Sequence, residues 1–232
     1  MGRLKYYGHA AFEVQVSGYK ILIDPWLSNP KSPVRPEHVG DVDFIVLTHG
    51  HFDHIGDAEV IARNNPKAKI VGVFELATDF GRKLGEDRFI GGNIGGPMNV
   101  AEGLKIALTP AAHSSPLGSP TGVVIISDEA RIYHSGDTGV IMDMRLIGEI
   151  YRPDIALLPI GGHFTMDPVE AAKAVELLRP KVVIPMHYAT FPILYGDPGE
   201  FKKLVEERCL PSKVVVLKPG ESYEFDFKAG MY

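Results

Sequence analysis

The segment Thr48 to Asp57, THGHFDHIGD, places His49, His51, Asp53 and His54 within six consecutive positions, directly after the apolar run FIVL. Imidazole nitrogens and carboxylate oxygens at this density are ligands for divalent cations. At an extended strand end, residues two apart point to one side, so His49 and His51 can reach one cation together. Asp53 and His54, further round the turn, can face a second. Two cations that share a reacting oxygen sit roughly 3.5 to 4 Å apart. The plain alternative is a solvated polar loop, and a cluster this dense straight after a buried strand argues against it. More candidates stand at other strand ends: His113 in PAAHSS, Asp137 in YHSGDTG and His187 in PMHY. Any one of them alone reads as a loop residue or a hydrogen-bonded core group. Taken with the histidine loop, they read as its remaining ligands.

The elements that must position these residues follow from periodicity. AAFEVQV alternates apolar and polar, SGYK is a turn and ILIDP follows, which predicts an opening hairpin. VDFIVLTH is a continuous apolar run suited to a strand covered on both faces, and helical spacing begins at DAEVIARNN. AKIVGVF predicts a strand and ELATDFGRKLG a helix. The glycine-rich IGGNIGGPMNVAEG predicts a rim or interface loop; its GGNIGG core, Gly91 to Gly96, lacks the spacing of a phosphate loop. LKIALTPAAHSS, TGVVIIS and ARIYHSGD predict three strands. Helices at MDMRLIGEIY, PVEAAKAVELL and PGEFKKLVEER then alternate with strands at DIALLPI, KVVIPMH and KVVVLK. Asp167 before Pro168, with Glu170 three places on, is a capped helix start. Three strands, VDFIVLTH, PDIALLPIGGH and PKVVIPMH, share the form of an apolar run ending near a histidine. No linker tract divides the chain, so residues 1–232 are expected to form one domain. The expected fold is α/β: two sheets packed face to face with helices outside both, a four-layer α/β/β/α sandwich.

Composition bounds the function. The chain has 232 residues, 45% hydrophobic and 23% charged, which is ordinary globular composition. A net charge of −5 without a Lys/Arg block offers no footprint for a phosphate backbone and argues against nucleic acid as a partner. The one cysteine, Cys209, rules out an internal disulfide framework and is expected to sit inert on a helix. MGRLKYYGHAAF has no apolar signal region, and the longest apolar stretches fall short of the roughly 20 residues needed to span a bilayer. The expectation is a cytoplasmic protein without a membrane anchor, its oligomeric state left open.

The run His49, His51, Asp53, His54, His113, Asp137 and His187 resembles the seven-ligand signature of the metallo-β-lactamase superfamily, over nearly the whole chain. YYGHAAF, DPW and GGHFTMDP further resemble a group of small metal-dependent hydrolases related to ascorbate-phosphate lactonases. The resemblance implies the same four-layer sandwich, with His49, His51 and His113 on one metal, Asp53, His54 and His187 on another, and Asp137 bridging them. It implies two divalent ions, zinc first, with manganese or iron as alternatives. Zinc β-lactamases usually carry cysteine or serine at the bridging position, so Asp137 argues against antibiotic hydrolysis.

Metal coordination lowers the pKa of water from about 15.7 towards 7, which makes hydroxide available as a nucleophile. Asp53 is placed to orient it or carry its proton. The expected activity is hydrolysis of a small ester, lactone or phosphoester. The rivals are an RNA-processing nuclease, a glyoxalase-type thioesterase and a non-catalytic protein whose metals stabilise the fold. The nuclease would bring a basic surface or an inserted arm. The thioesterase would need a longer extension than the segment after His187. Around the ligands, Asp24 is a candidate to hold an imidazole N–H, and His9 and His163 to reach the substrate or its leaving group. Tyr188 and Thr190 are candidates to line the pocket. His38 and His134 match no ligand position and are read as structural or exposed.

Overall fold

The alternating run at the start of the chain forms the expected hairpin. Strand β2 (Phe12–Val16) pairs antiparallel with β3 (Tyr19–Ile23), and Val16 stands opposite Tyr19. Ser17 and Gly18 alone make the turn, with φ of 52° and 78°. Positive φ at both central residues matches the twist of a two-residue hairpin, so the turn is tighter than the SGYK expected. This computed structural model describes residues 1–208 and 210–227; Cys209 lies outside the described residues.

In the first sheet β1 (Gly2–Tyr6), β2 and β3 form an antiparallel meander, and β4 (Phe44–Val46), β5 (Lys69–Val73) and β6 (Phe89–Gly92) continue it in parallel. The second sheet repeats this order. Strands β8 (Leu104–Pro110), β9 (Thr121–Ser127) and β10 (Arg131–His134) form the meander; β11 (Ile155–Pro159), β12 (Val182–Met186) and β13 (Lys213–Val214) run parallel. One more antiparallel strand extends each meander: β14 (Ser222–Phe225) beside β1, and β7 (Met98–Ala101) beside β8. Parallel neighbours need crossovers, and helices supply most of them. They are α1 (Phe52–Ile55) with α2 (Ala58–Asn64), α3 (Phe74–Leu84), α4 (Asp143–Tyr151), α5 (Pro168–Leu178) and α6 (Pro198–Glu207).

Alternation along the strands builds the layers. Ile106, Leu108, Val123, Ile125, Leu157 and Ile184 of the second sheet join the buried cluster that holds Leu4, Phe12, Val14, Ile21 and Ile23 of the first. Their neighbours Ala107, Val124, Tyr133, Leu158 and Val183 point the other way, into a cluster with Ile147 of α4, Val175 of α5 and Phe201 of α6. Ile61 of α2 and Phe80 of α3 are buried with the first sheet. The expected four-layer sandwich follows, since strands buried on both faces read as continuous apolar runs. The capping box forms as expected at α5: Asp167 Oδ1 accepts from the Glu170 N–H at 2.9 Å.

Some local expectations need correction. The glycine-rich segment is not one loop but the strands β6 and β7 with a short link. Gly92 serves packing, because a Cβ there would run into Met98 Sδ, whereas Gly95 and Gly96 have open space around them. KVVVLK pairs only over Lys213–Val214, and β1 and β14 were not expected. No helix among the described residues is long and apolar enough to cross a membrane.

Candidate metal centre

The site lies in the seam between the sheets, where strand ends from both meet. Thr48, just past β4, gives its carbonyl to the N–H and hydroxyl of Thr121 at 3.0 and 2.9 Å. The His187 N–H donates to the His9 carbonyl at 2.8 Å, and His134 Nε2 lies 2.9 Å from the Ala10 carbonyl. Gly50 donates to Ser115 Oγ at 3.2 Å. Cross-sheet bonds of this kind fix the loops against one another, so side chains from distant strands converge. Gly136 is needed here: at φ 60° it carries the chain into Asp137, and a Cβ would meet the Thr121 carbonyl at 2.5 Å.

Three groups of ligand atoms form, each within 4.8 Å of one another: His49, His51 and His113; His9, Asp53, His54 and His187; and His49, His54 and Asp137. All seven expected ligands are therefore brought together, with His9 as an eighth neighbour. His49 Nε2 and His51 Nδ1 are 2.9 Å apart, as the strand-end argument requires. Asp53 and His54 come round on the single turn of α1, an element absent from the sequence reading. Asp137 faces both groups: its Oδ2 lies 3.1 Å from His187 Nε2 and 3.5 Å from His113 Nε2, its Oδ1 3.2 Å from His54 Nε2.

Asp24, fully buried after β3, organises this cluster. It accepts from the Thr48 N–H at 2.9 Å and the Thr48 hydroxyl at 2.6 Å, and His54 Nδ1 lies 2.7 Å away. Burial works against its charge, but His54, His134 and His49 together hold its pKa below the usual carboxylate value. The ionised carboxylate accepts a hydrogen bond from His54 Nδ1–H, which leaves His54 Nε2 as the nitrogen that faces Asp137. Thr48 spends its one hydroxyl proton on Asp24, so its oxygen accepts from His49 Nδ1, 3.0 Å away, and His49 Nε2 is freed likewise.

The electrostatics fit a cation. Burial, then the neighbouring imidazoles, push His9 down to about 4 and His49 down to about 3, so both are neutral donors at pH 7. Burial opposes charge on Asp137 and His54, yet the pull of their partners wins: Asp137 lies well below its usual range and His54 well above, so a cation bound here would take the place of the His54 Nε2 proton. Asp53 is also depressed, its burial outweighed by the hydrogen bond from His9 at 3.0 Å. Buried His54 Nε2, His187 Nε2 and Asp137 Oδ1 have no hydrogen-bond partner although they lie side by side. Converging, unsatisfied donor atoms of this set suit a divalent cation, which would satisfy all three.

Backbone strain concentrates here. His9, Asp24, His187 and Ala189 have φ of 54°, 45°, 57° and 56°. The left-handed region costs residues with a Cβ of order 1 kcal/mol each, a cost the surrounding hydrogen bonds must offset.

A cavity of about 460 Å³ opens onto the cluster, lined by His51, Asp53, His113, Asp137 and His187 together with Ser114, Phe52, Phe164 and Phe191. Trp26 stacks on Phe191 at 5.7 Å and meets Phe52 edge-on at 5.7 Å. These aromatics were missed as functional residues, although DPW and GGHF contain two of them. Thr48 was missed as well, and its only sequence signal is its place before His49. The other candidates lie apart. His163 is exposed and edge-on to Phe164 at 4.4 Å, outside the ligand groups. Tyr188 packs against the α4–α6 core, and buried Thr190 donates to its carbonyl. His134 is buried between Ala10 and Gly136, a structural role, and His38 is exposed.

Residues 19–188 match the family described as beta-lactamase superfamily domain. The chain belongs to the β-lactamase superfamily. Within it, the chain is 62% identical to a UPF0173 metal-dependent hydrolase of Aeropyrum pernix, over 98% of this chain and 99% of the relative. A UPF0173 metal-dependent hydrolase of Hyperthermus butylicus is 55% identical, over 97% and 100%. Among solved structures, Igni18, a metallo hydrolase from Ignicoccus hospitalis, is 50% identical with a TM-score of 0.92, covering 98% of this chain and 99% of that one. The protein is thus a metal-dependent hydrolase of the metallo-β-lactamase fold, with a histidine–aspartate cluster able to hold metal.

Proposed function

We propose that the protein is a dinuclear hydrolase of a small ester, lactone or phosphoester, residues 1–232 acting as one cytoplasmic metallo-hydrolase domain. The observation that carries the reading is the position of Asp137, whose two oxygens face ligand atoms of both histidine groups. His49, His51 and His113 would hold one ion, Asp53, His54 and His187 the other, with Asp137 shared; zinc, manganese and iron all suit such donors. Divalent ions bound there acidify water and polarise a carbonyl or phosphoryl oxygen.

The chain's own residues supply the rest. Asp24 sets the tautomers of His54 directly and of His49 through Thr48. Asp53, kept ionised by the hydrogen bond from His9 Nε2 to its Oδ2, is the carboxylate at the cavity wall able to accept a proton from the attacking water. His9, enclosed by Trp26 and Phe191 at 5.2 and 5.6 Å, holds that carboxylate in place.

Metal analysis of protein reconstituted separately with zinc, manganese and iron tests the reading, together with turnover of lactones, carboxylic esters and phosphodiesters. Two ions per chain and hydrolysis lost in His51→Ala are expected. Saturation at one ion, or hydrolysis that persists in that variant, would sink it.

A further inference from the structure

The cavity is walled by two kinds of side chain: the proposed ligands, and Phe52, Phe164 and Phe191. Two of these phenylalanines are mostly uncovered, Phe52 at 66% and Phe164 at 54% exposure. Large apolar groups exposed together at the mouth of a site gain free energy when a ligand covers them. Phe191 is held from behind by its stack on Trp26, so that wall is preformed and loses little freedom on binding.

Position in the two sheets argues that the wall is built rather than incidental. His51–Phe52 follows β4, and His163–Phe164 follows β11, its counterpart in the second sheet's strand order. The histidines part company, one into the cluster and one to solvent, yet both phenylalanines reach the same cavity.

Charge completes the argument. No lysine or arginine is among the described residues lining the cavity, and its two carboxylates, Asp53 and Asp137, are both proposed ligands. Cationic side chains line a different cleft, of about 550 Å³ beside α4 and α5, where Arg145, Arg152, Arg179 and Lys181 stand with Glu149 and Glu176. Divalent ions on the proposed ligands would draw an anion to the scissile end of the cavity, but an anionic substituent seated against the phenylalanines would lose water and find no cationic side chain in return.

Resting on the hydrolase reading above, we propose that the substrate carries a neutral, apolar alkyl or aryl group seated against Phe52, Phe164 and Phe191, and that groups bearing phosphate or carboxylate away from the scissile bond are rejected. The volume suits a small molecule.

Binding can be read without metal or turnover, because Trp26 is the chain's only tryptophan and stacks on this wall. Titration of the metal-free full-length protein with N-hexylacetamide is expected to give a saturable change in Trp26 emission. 6-Acetamidohexanoate and 6-acetamidohexyl phosphate should bind at least about tenfold more weakly, and Phe164→Ala should weaken the neutral ligand by about tenfold, the worth of covering one phenyl group. Phe164→Lys should reverse the preference towards the carboxylate. In the metal-loaded protein, hexyl acetate should exceed 6-acetoxyhexanoate in kcat/KM by a similar factor, through KM. Charged ligands that bind as well as the neutral one, or a Phe164→Ala variant that binds it equally well, would overturn the proposal. Turnover of esters without that preference removes the substrate class and leaves the hydrolase standing. Verified metal loading with no turnover of any ester, lactone or phosphoester removes the proposed reaction and the substrate class with it.

Discussion

The two sheets share a strand order, β1 to β6 in one and β8 to β13 in the other, yet they dress equivalent strand ends differently. His9 follows β1 where His113 follows β8, and Asp24 follows β3 where Asp137 follows β10. After β4 the chain runs Leu47-Thr48-His49-Gly50-His51-Phe52; after β11 it runs Ile160-Gly161-Gly162-His163-Phe164. The first loop enters the helical turn α1, which carries Asp53 and His54 back into the cluster. The second places His163 in a left-handed conformation at φ 60° and leaves it in solvent. One scaffold thus gives a loop crowded with proposed ligands on one side and one proposed ligand per strand end on the other. For His51 and His163, alike in type, backbone direction just past the strand makes the difference: His51 is extended and His163 left-handed.

Variants in each half test how far the equivalent strand ends differ in what they hold. The largest effect is expected in the second half, from Asp137→Ala: its oxygens face both ligand groups, so both ions should be lost and activity fall to background by metal analysis and turnover. His51→Ala should remove one ion only. Next, Asp24→Asn in the first half should keep the fold but weaken metal affinity by about 10- to 100-fold, the usual cost of losing a ligand's hydrogen-bond partner; competition with a chelator measures it. Retention of full affinity would mean that the tautomers of His54 and His49 are set by something other than Asp24.

His134→Ala should destabilise by about 2 kcal/mol in denaturant unfolding, because the Ala10 carbonyl and Gly136 N–H lose their buried partner. Burial lowers the His134 pKa, so below its ordinary value near 6.5 the unfolded chain binds the proton that the folded one refuses. Its contribution to stability therefore falls as pH drops through that value, and the variant should lose that part of the slope. Smallest of all, His163→Ala should keep both ions and shift stability by no more than about 0.5 kcal/mol, as at other exposed positions. Loss of an ion there would show that the equivalence with His51 extends to ligation.

The sequence by itself determined most of the elements and the identity of the clustered donors. Period-two alternation and continuous apolar runs marked β2, β3, β5, β9, β11 and β12, and Asp167-Pro168 marked the start of α5, because these signals are local. The dense run from His49 to His54 was legible for the same reason. The short strand β1, the edge strands β14 and β7, and the glycine-bearing β6 carry weak local signals and depend on a neighbouring strand for their hydrogen bonds. Only the tertiary structure brought His9 beside Asp53, 44 positions away, and beside His187 with ring centroids 3.9 Å apart. It alone separated His51 from His163, two histidines that each precede a phenylalanine, and set Trp26 behind Phe191. Composition names the groups able to ligate or stack. Whether they meet is decided by the seam between two sheets, whose hydrogen bonds join residues far apart in the chain.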